Sequence, residues 1–185
     1  MNDNRVGNYM ILSTGRKFWP LDPREAEVDI EAIAHHLGMA CRWGGAVQRF
    51  YSVAEHSVHC SRLVPPEHAL EALLHDAAEA YLGDLIRPLK HDSRFAAYLA
   101  VEAPIERVIA RRFNVEYPWP ASVKRADEAM GATEAAQLIR HDGEWTGVRY
   151  AAQAAVTLRC WEPAGASIEF LLRFHNLMAE RENAA

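Results

Sequence analysis

The sequence contains no run of about 18 consecutive apolar residues, the length that a membrane-crossing helix needs, so no membrane span is expected. Cysteine is scarce. Cys41, Cys60 and Cys160 lie far apart with no Cys-x-x-Cys pair, which argues against a disulfide framework or a thiolate zinc cluster and for a reducing compartment. All three thiols, Cys60 included, read as packing residues and not as ligands. Positive charge is not in excess: 20 Lys and Arg stand against 25 Asp and Glu, a net charge of -5. A basic surface for gripping a phosphate backbone is therefore missing, and no nucleic-acid partner is expected. The opening residues, MNDNRVGNYMILSTGRKF, do not combine a basic stretch with an apolar one, so no secretory signal is read and the cytoplasm is the expected location. Internal repeats and low-complexity segments are absent.

What is present suits a single globular domain over 1–185, with 50% apolar and 24% charged residues. The sequence leaves a homo-oligomer open. Residues 9–19, YMILSTGRKFW, suggest two short extended pieces around Thr14-Gly15, a small hairpin. From Asp29 onward the helical period takes over. Ile30, Ile33, Ala34, Leu37 and Cys41 form one stripe, with Asp29 as N-cap. Further helices are expected across SVAEHSVHCSRLV and PEHALEALLHDAAEAYL, the latter with Pro66 near its start and Gly83 past its end. A long stretch over 92–113 follows, where Pro104 either kinks the helix or opens a new one. YPWP at 117–120 breaks it, and ASVKRADEAMGATEAAQLI and SIEFLLRFHNLMAE complete the array. The expected fold is an all-α bundle of roughly six helices with at most a small N-terminal hairpin.

One helix of this bundle carries a chemical puzzle. His75, Asp76 and Glu79 sit among Ala72, Leu73, Leu74, Ala77 and Ala78, in a segment built for burial. Taken alone, a His-Asp pair on a helix is most often a solvated face. The apolar surround changes that, because a buried charge needs a partner or a cation. Partners exist elsewhere: His56 and His59 on the preceding helix, and Asp127 about fifty residues downstream in the apolar company of Ala126, Ala129 and Met130. An imidazole and a carboxylate converging beside the helix make a plausible half of a metal site.

Together these pieces resemble the HD-domain metal-dependent phosphohydrolases, whose pattern is a histidine on one helix, a His-Asp dyad on the next and an aspartate on a later one. The pattern falls on His56, His75-Asp76 and Asp127. The chain is most similar to the subgroup of bacterial 5′-nucleotidases that act on deoxyribonucleoside monophosphates, and to its phage and bacterial relatives that hydrolyse deoxynucleoside triphosphates. Arg42-Trp43, SVAEHS at 52–57 and HDAAEAYLGDLIRPLK at 75–90 carry that likeness, which spans about residues 42–130. Ile86 replaces a proline usual in the last motif, and the glycines of RWGG give the loop a different freedom.

The resemblance implies an HD-type bundle, a nucleotide as substrate, and one divalent metal held by His56, His75, Asp76 and Asp127, two imidazoles and two carboxylates that form a mixed nitrogen and oxygen set suited to Mn, Fe, Co, Ni or Zn. The ion would polarise the phosphoryl group and acidify water. Glu79, one turn from His75, is then the candidate general base. Arg42 is placed on phosphate, where its fork suits bidentate contact. Trp43 is placed against the sugar, Asp84 on its 3′-hydroxyl, and Arg87 and Lys90 near the phosphate. Only His91 lies between Asp76 and Asp127, too few histidines for a second metal. His59, His35 and His36 read as packing residues, and Glu55 and Glu134 as ion-pair partners. Monophosphatase and triphosphohydrolase use the same ligands, so both stay open. A non-catalytic metal- or nucleotide-binding regulatory module is the alternative of another class, and a plain helical domain with core His-Asp pairs is a further one.

If Trp43 lies against the sugar, deoxyribonucleotides are turned over in preference to ribonucleotides, because a 2′-hydroxyl would meet an indole face and go unpaired. Steady-state kinetics on matched pairs checks this. Equal turnover, or a ratio unchanged in Trp43→Ala, contradicts it.

Overall fold

The structure, a computed structural model, describes residues 5–140 and 152–184. The fold is all-α with a small N-terminal hairpin, as expected. Strands β1 (Met10–Ile11) and β2 (Lys17–Phe18) pair antiparallel, Met10 opposite Phe18 and Ile11 opposite Lys17. Gly15 closes the turn at a φ of 78°, a conformation available to glycine at little cost. Helix α1 (Ile30–Met39) starts at Asp29, whose side chain accepts from the backbone N–H of Glu31 and Ala32. Helix α2 (Val53–Leu63) starts at Ser52, whose hydroxyl accepts from Glu55 N–H. It ends at Val64, just before Pro65, a residue that disfavours helix in the position preceding it.

The segment expected as one helix over 66–82 is divided. A 3₁₀ turn at Pro66–His68 leads into α3 (Ala69–Leu74), and α4 (Glu79–Leu82) follows after a tight turn at residues 75–78. Backbone bonds there close three residues back: Ala77 N–H to Leu74 C=O at 2.9 Å and Glu79 N–H to Asp76 C=O at 3.0 Å. The tightening falls on the His75-Asp76 dyad, and such mid-helix 3₁₀ stretches often mark functional or strained places. Gly83 ends α4 at a φ of 80°. Short α5 (Arg87–Lys90) precedes α6 (Ala96–Phe113), which runs uninterrupted through Pro104. Helix α7 (Ala121–Leu138) begins after Pro120, and α8 (Pro163–Ala184) is the last. No helix among the described residues is long and apolar enough to cross a membrane.

Helix α2 is the axis of the bundle, packed on α1, α3, α7 and α8. Residues 53–61 are all buried, yet Glu55, His56, Ser57, His59 and Ser61 are among them. A helix sheltered on every side is ordinarily apolar all round, so these groups need partners inside the protein, and Ser57 Oγ has none among the described residues. On the outer side of the core, Phe18 of the hairpin stacks on Tyr81 of α4 with ring centroids 3.8 Å apart. His36 bridges the same region: its Nδ1–H donates to Ala80 C=O at 2.7 Å, and its Nε2 accepts from Ser13 N–H at 3.1 Å.

Glu55 solves its burial with backbone. Its carboxylate accepts three consecutive N–H groups, from Arg159 at 2.7 Å, Cys160 at 2.9 Å and Trp161 at 2.6 Å. Cys160 has a φ of 55°, and the resulting concave run of amides is a nest for an anion. His59 lies 3.5 Å from Glu55 and stacks on Trp161, so it serves packing and not the ligand cluster. The segment leading into α8 is thereby anchored to α2.

Burial pushes the Glu55 carboxyl up, but hydrogen bonds from His59 and the three amides hold it below its ordinary value of 4.5. A carboxyl lowered on folding contributes stability that is complete above about pH 4.5 and is lost as pH falls further. Glu55→Ala leaves three amides without their acceptor, so a loss on the order of 3 kcal/mol is expected. In a chain of this size that is a melting temperature lower by about 6–12 °C. Glu55→Gln should lose less, and its deficit relative to wild type should narrow between about pH 7 and about pH 4. Scanning calorimetry at the two pH values checks both; a deficit independent of pH would contradict the assignment.

Candidate metal centre

Four elements converge on one point. Helix α2 brings His56, the 75–78 turn brings His75 and Asp76, α7 brings Asp127, and the loop between α1 and α2 brings Arg42. His56 Nε2 lies 3.4 Å from His75 Nε2, 3.2 Å from Asp127 Oδ1 and 3.6 Å from Asp76 Oδ2. His75 Nε2 lies 3.3 Å from Asp76 Oδ2. Atoms sharing a cation at about 2.0–2.3 Å stand roughly 3–4 Å from one another, so these separations fit a ligand set. Both histidines are buried, and both carboxylates are partly open.

The ring orientations are fixed from behind. His56 Nδ1–H donates to Glu134 Oε1 at 2.6 Å, and His75 Nδ1–H donates to Ala72 C=O at 2.8 Å. Each bond commits Nδ1 as the donor and leaves Nε2 facing the cluster, as metal-binding histidines require. Glu134 is fully buried and does more than orient His56. Its Oε2 accepts from Arg42 Nε–H at 3.0 Å and from Trp43 Nε1–H at 3.0 Å. One carboxylate on α7 thus holds a histidine of α2 and both residues of the Arg-Trp pair. Trp43 sits at a φ of 61°, followed by Gly44 and Gly45 at 58° and 81°. The two glycines allow the left-handed run, and the Glu134 bond holds the tryptophan in a backbone conformation that large side chains rarely adopt.

Electrostatics follow from this crowding. Burial opposes charge on every group. Even so, Asp76 beside it raises His75 to about 9, and the hydrogen bond and charge of His56 lower Asp127 to about 2. Arg42 and His56 likewise hold Glu134 below its ordinary value. Arg42 faces the carboxylates, with Nη1 3.3 Å from Asp76 and Nη2 4.0 Å from Asp127. Negative groups outnumber what the guanidinium alone neutralises, which is the environment a divalent cation seeks.

Of the other residues singled out in the sequence, Glu79 is buried near this cluster. Burial, then the charges of Asp76 and Asp84, push its carboxyl well above the ordinary value. Its Oε1 lies 3.4 Å from Lys90 Nζ, and its buried Oε2 has no hydrogen-bond partner among the described residues. Lys90 is shared with Glu102 of α6, at 2.9 Å, a partner with no motif in the sequence to announce it. Asp84 is half-buried and within electrostatic range of Arg42 and Asp76. Arg87 is exposed on α5.

Cys60 is the residue that the sequence reading set aside. Its Sγ lies 3.3 Å from His56 Nε2. His56, Cys60 and His75 each offer a ligand atom, all within 4.8 Å of one another, and all three are buried. This group could hold a metal ion. The available signal was its spacing, one turn after His56 on the same face of α2. Glu134 had a comparable signal, two turns after Asp127 on α7.

No protein-family model matches the chain. It is 39% identical over 132 residues to the uncharacterized protein YfdR of Escherichia coli (strain K12), covering 71% of this chain and 73% of that protein. It is 35% identical over 133 residues to an uncharacterized protein of Rhodobacter capsulatus, covering 67% of each. The chain belongs to the family of these proteins.

Because Glu134 sets the tautomer of His56, Glu134→Gln should weaken divalent-metal binding by about 10–100-fold, the usual loss when the partner behind a ligand is changed. Competition against a chromogenic chelator measures it. An affinity within a factor of about two of wild type would show that His56 needs no such orientation.

Proposed function

We propose that this member of the YfdR family is a metal-dependent phosphohydrolase of the HD type that cleaves a phosphate ester of a nucleotide, a deoxyribonucleotide first of all. The observation that carries the reading is the meeting of His56, His75, Asp76 and Asp127: His56 Nε2 lies 3.2 Å from Asp127, 3.4 Å from His75 and 3.6 Å from Asp76, and His75 lies 3.3 Å from Asp76. Those four residues would hold one divalent ion, and both imidazoles have their second nitrogen already engaged. The ion supplies Lewis-acid polarisation of a phosphoryl oxygen.

The remaining work falls to side chains. Arg42 borders the ligand carboxylates, so a phosphate oxygen entering that space meets two guanidinium nitrogens. Phosphoryl transfer asks chiefly for positioning and charge neutralisation, and Arg42, steadied by Glu134, offers both. Glu79 accepts the proton of the attacking water. Its burial and its carboxylate neighbours raise its proton affinity above that of an ordinary carboxyl, which favours taking a proton from water. Lys90, between Glu79 and Glu102, limits that rise and keeps the base oriented. Asp84 and Trp43 are assigned to the sugar and Arg87 to the outer phosphate. A deoxynucleoside triphosphate is the alternative substrate on the same residues.

Glu79→Gln keeps size and hydrogen bonding but cannot take the proton. It should bind metal normally while turnover falls by about 10²–10⁴, or roughly 3–5 kcal/mol of barrier. Asp76→Ala should lose metal and turnover together. Phosphate release from deoxynucleoside mono- and triphosphates, with metal content measured on the same samples, decides. Near-normal turnover in Glu79→Gln, with only a raised KM or a lowered melting temperature, would make Glu79 a structural partner of Lys90. Full metal occupancy in Asp76→Ala would refute the ligand set.

A further inference from the structure

The two histidines and two aspartates do not exhaust the donors at this site. Cys60 is fully buried, and all three cysteines are free thiols, so no disulfide claims it. It belongs to a buried, mostly apolar cluster with Tyr51, Ala72, Val123, Ala126 and Met130. The group it does face is the metal-directed nitrogen of His56, at 3.3 Å, and not the far side of the ring. That separation is close to the 3.2 Å from His56 to Asp127 and the 3.3 Å from His75 to Asp76, and the ligand atoms of His56, Cys60 and His75 all lie within 4.8 Å of one another, which places the sulfur beside the same cluster. The helix explains the placement, because residues four apart share a face and His56 already points inward.

We propose that Cys60 is a metal ligand, donating a thiolate alongside His56 and His75, so that the site is a sulfur-containing centre. The inference deepens the metal-binding part of the reading above and is independent of its chemistry toward nucleotides. Coordination replaces the S–H bond by an S–metal bond, and the thiol proton is released to solvent or to a neighbouring carboxylate. A thiolate moves the site's preference toward zinc and cobalt, and away from magnesium and manganese, which oxygen ligands suit better. One more anionic donor also leaves fewer positions for water, which bears on how substrate enters.

The test uses the purified full chain, stripped of metal and reloaded with cobalt(II) or zinc alone. Cobalt(II) should give a sulfur-to-cobalt charge-transfer band in the near ultraviolet, and this band should vanish in Cys60→Ser and Cys60→Ala while weaker visible cobalt bands remain. X-ray absorption of the zinc-loaded wild type should show one sulfur at about 2.3 Å beside nitrogen and oxygen at about 2.0–2.2 Å. That second measurement needs no variant, so failure of either variant to fold leaves the proposal open to refutation. Zinc affinity of Cys60→Ser should fall by at least the about 10–100-fold seen when outer partners of ligands are removed. A metal-loaded protein without the sulfur signal, or a band surviving in Cys60→Ala, would overturn the ligand and leave the four-residue site standing. Absence of any metal uptake would overturn both.

Discussion

The contact on which the candidate site depends is the 2.6 Å hydrogen bond between His56 Nδ1 and the buried carboxylate of Glu134. It links the central helix α2 to α7, the helix that also carries Asp127, and fixes which nitrogen of His56 faces inward. The other oxygen of Glu134 holds Arg42 and Trp43. A buried carboxylate with no partners would be prohibitively costly, whereas this one has three donors on its two oxygens. The loop between α1 and α2, with its left-handed run at Trp43, Gly44 and Gly45, keeps its shape because that carboxylate is there to receive it.

The same logic recurs at the opposite side of α2. Glu55 is buried one turn before His59 and takes three backbone amides of the segment entering α8. Helix α2 therefore carries two anchored carboxylate contacts, one to its own Glu55 and one to Glu134 of α7. A helix of mixed polarity can be central when its charged groups are answered in this way, and His56 is held from behind as a result.

Much of this was legible in the sequence, for physical reasons that can be named. Asp29 and Gly83 marked helix ends because capping and left-handed conformations demand particular residues. The Thr14-Gly15 hairpin was legible from its glycine turn between extended pieces. His75 and Asp76 stood out as titratable groups in an apolar segment, the resemblance to the HD pattern singled out His56 and Asp127 as their companions, and the fold brings the four side chains to one place. What stayed hidden depends on distant backbone or on small departures from ideal geometry. The tight turn at 75–78 leaves no compositional mark, since Ala77 and Ala78 favour a regular helix as much as a tight one. The Glu55 nest is made of amides more than a hundred positions away, which no local pattern encodes. Glu134 and Cys60 were visible as helical neighbours of Asp127 and His56, but scarce cysteine without a paired motif reads as core. Lys90 was expected near phosphate, and the structure finds its ammonium shared by Glu79 and Glu102.

The proposed function rests on one divalent ion at His56, His75, Asp76 and Asp127 that would make this chain a nucleotide phosphohydrolase. Its most direct measurement is phosphate release from a panel of deoxynucleotides by metal-stripped protein titrated with a single transition ion. Activity should be absent before addition and should rise to a plateau at one ion per chain. Undiminished release after complete stripping, or no release from any nucleotide at full metal occupancy, would contradict it.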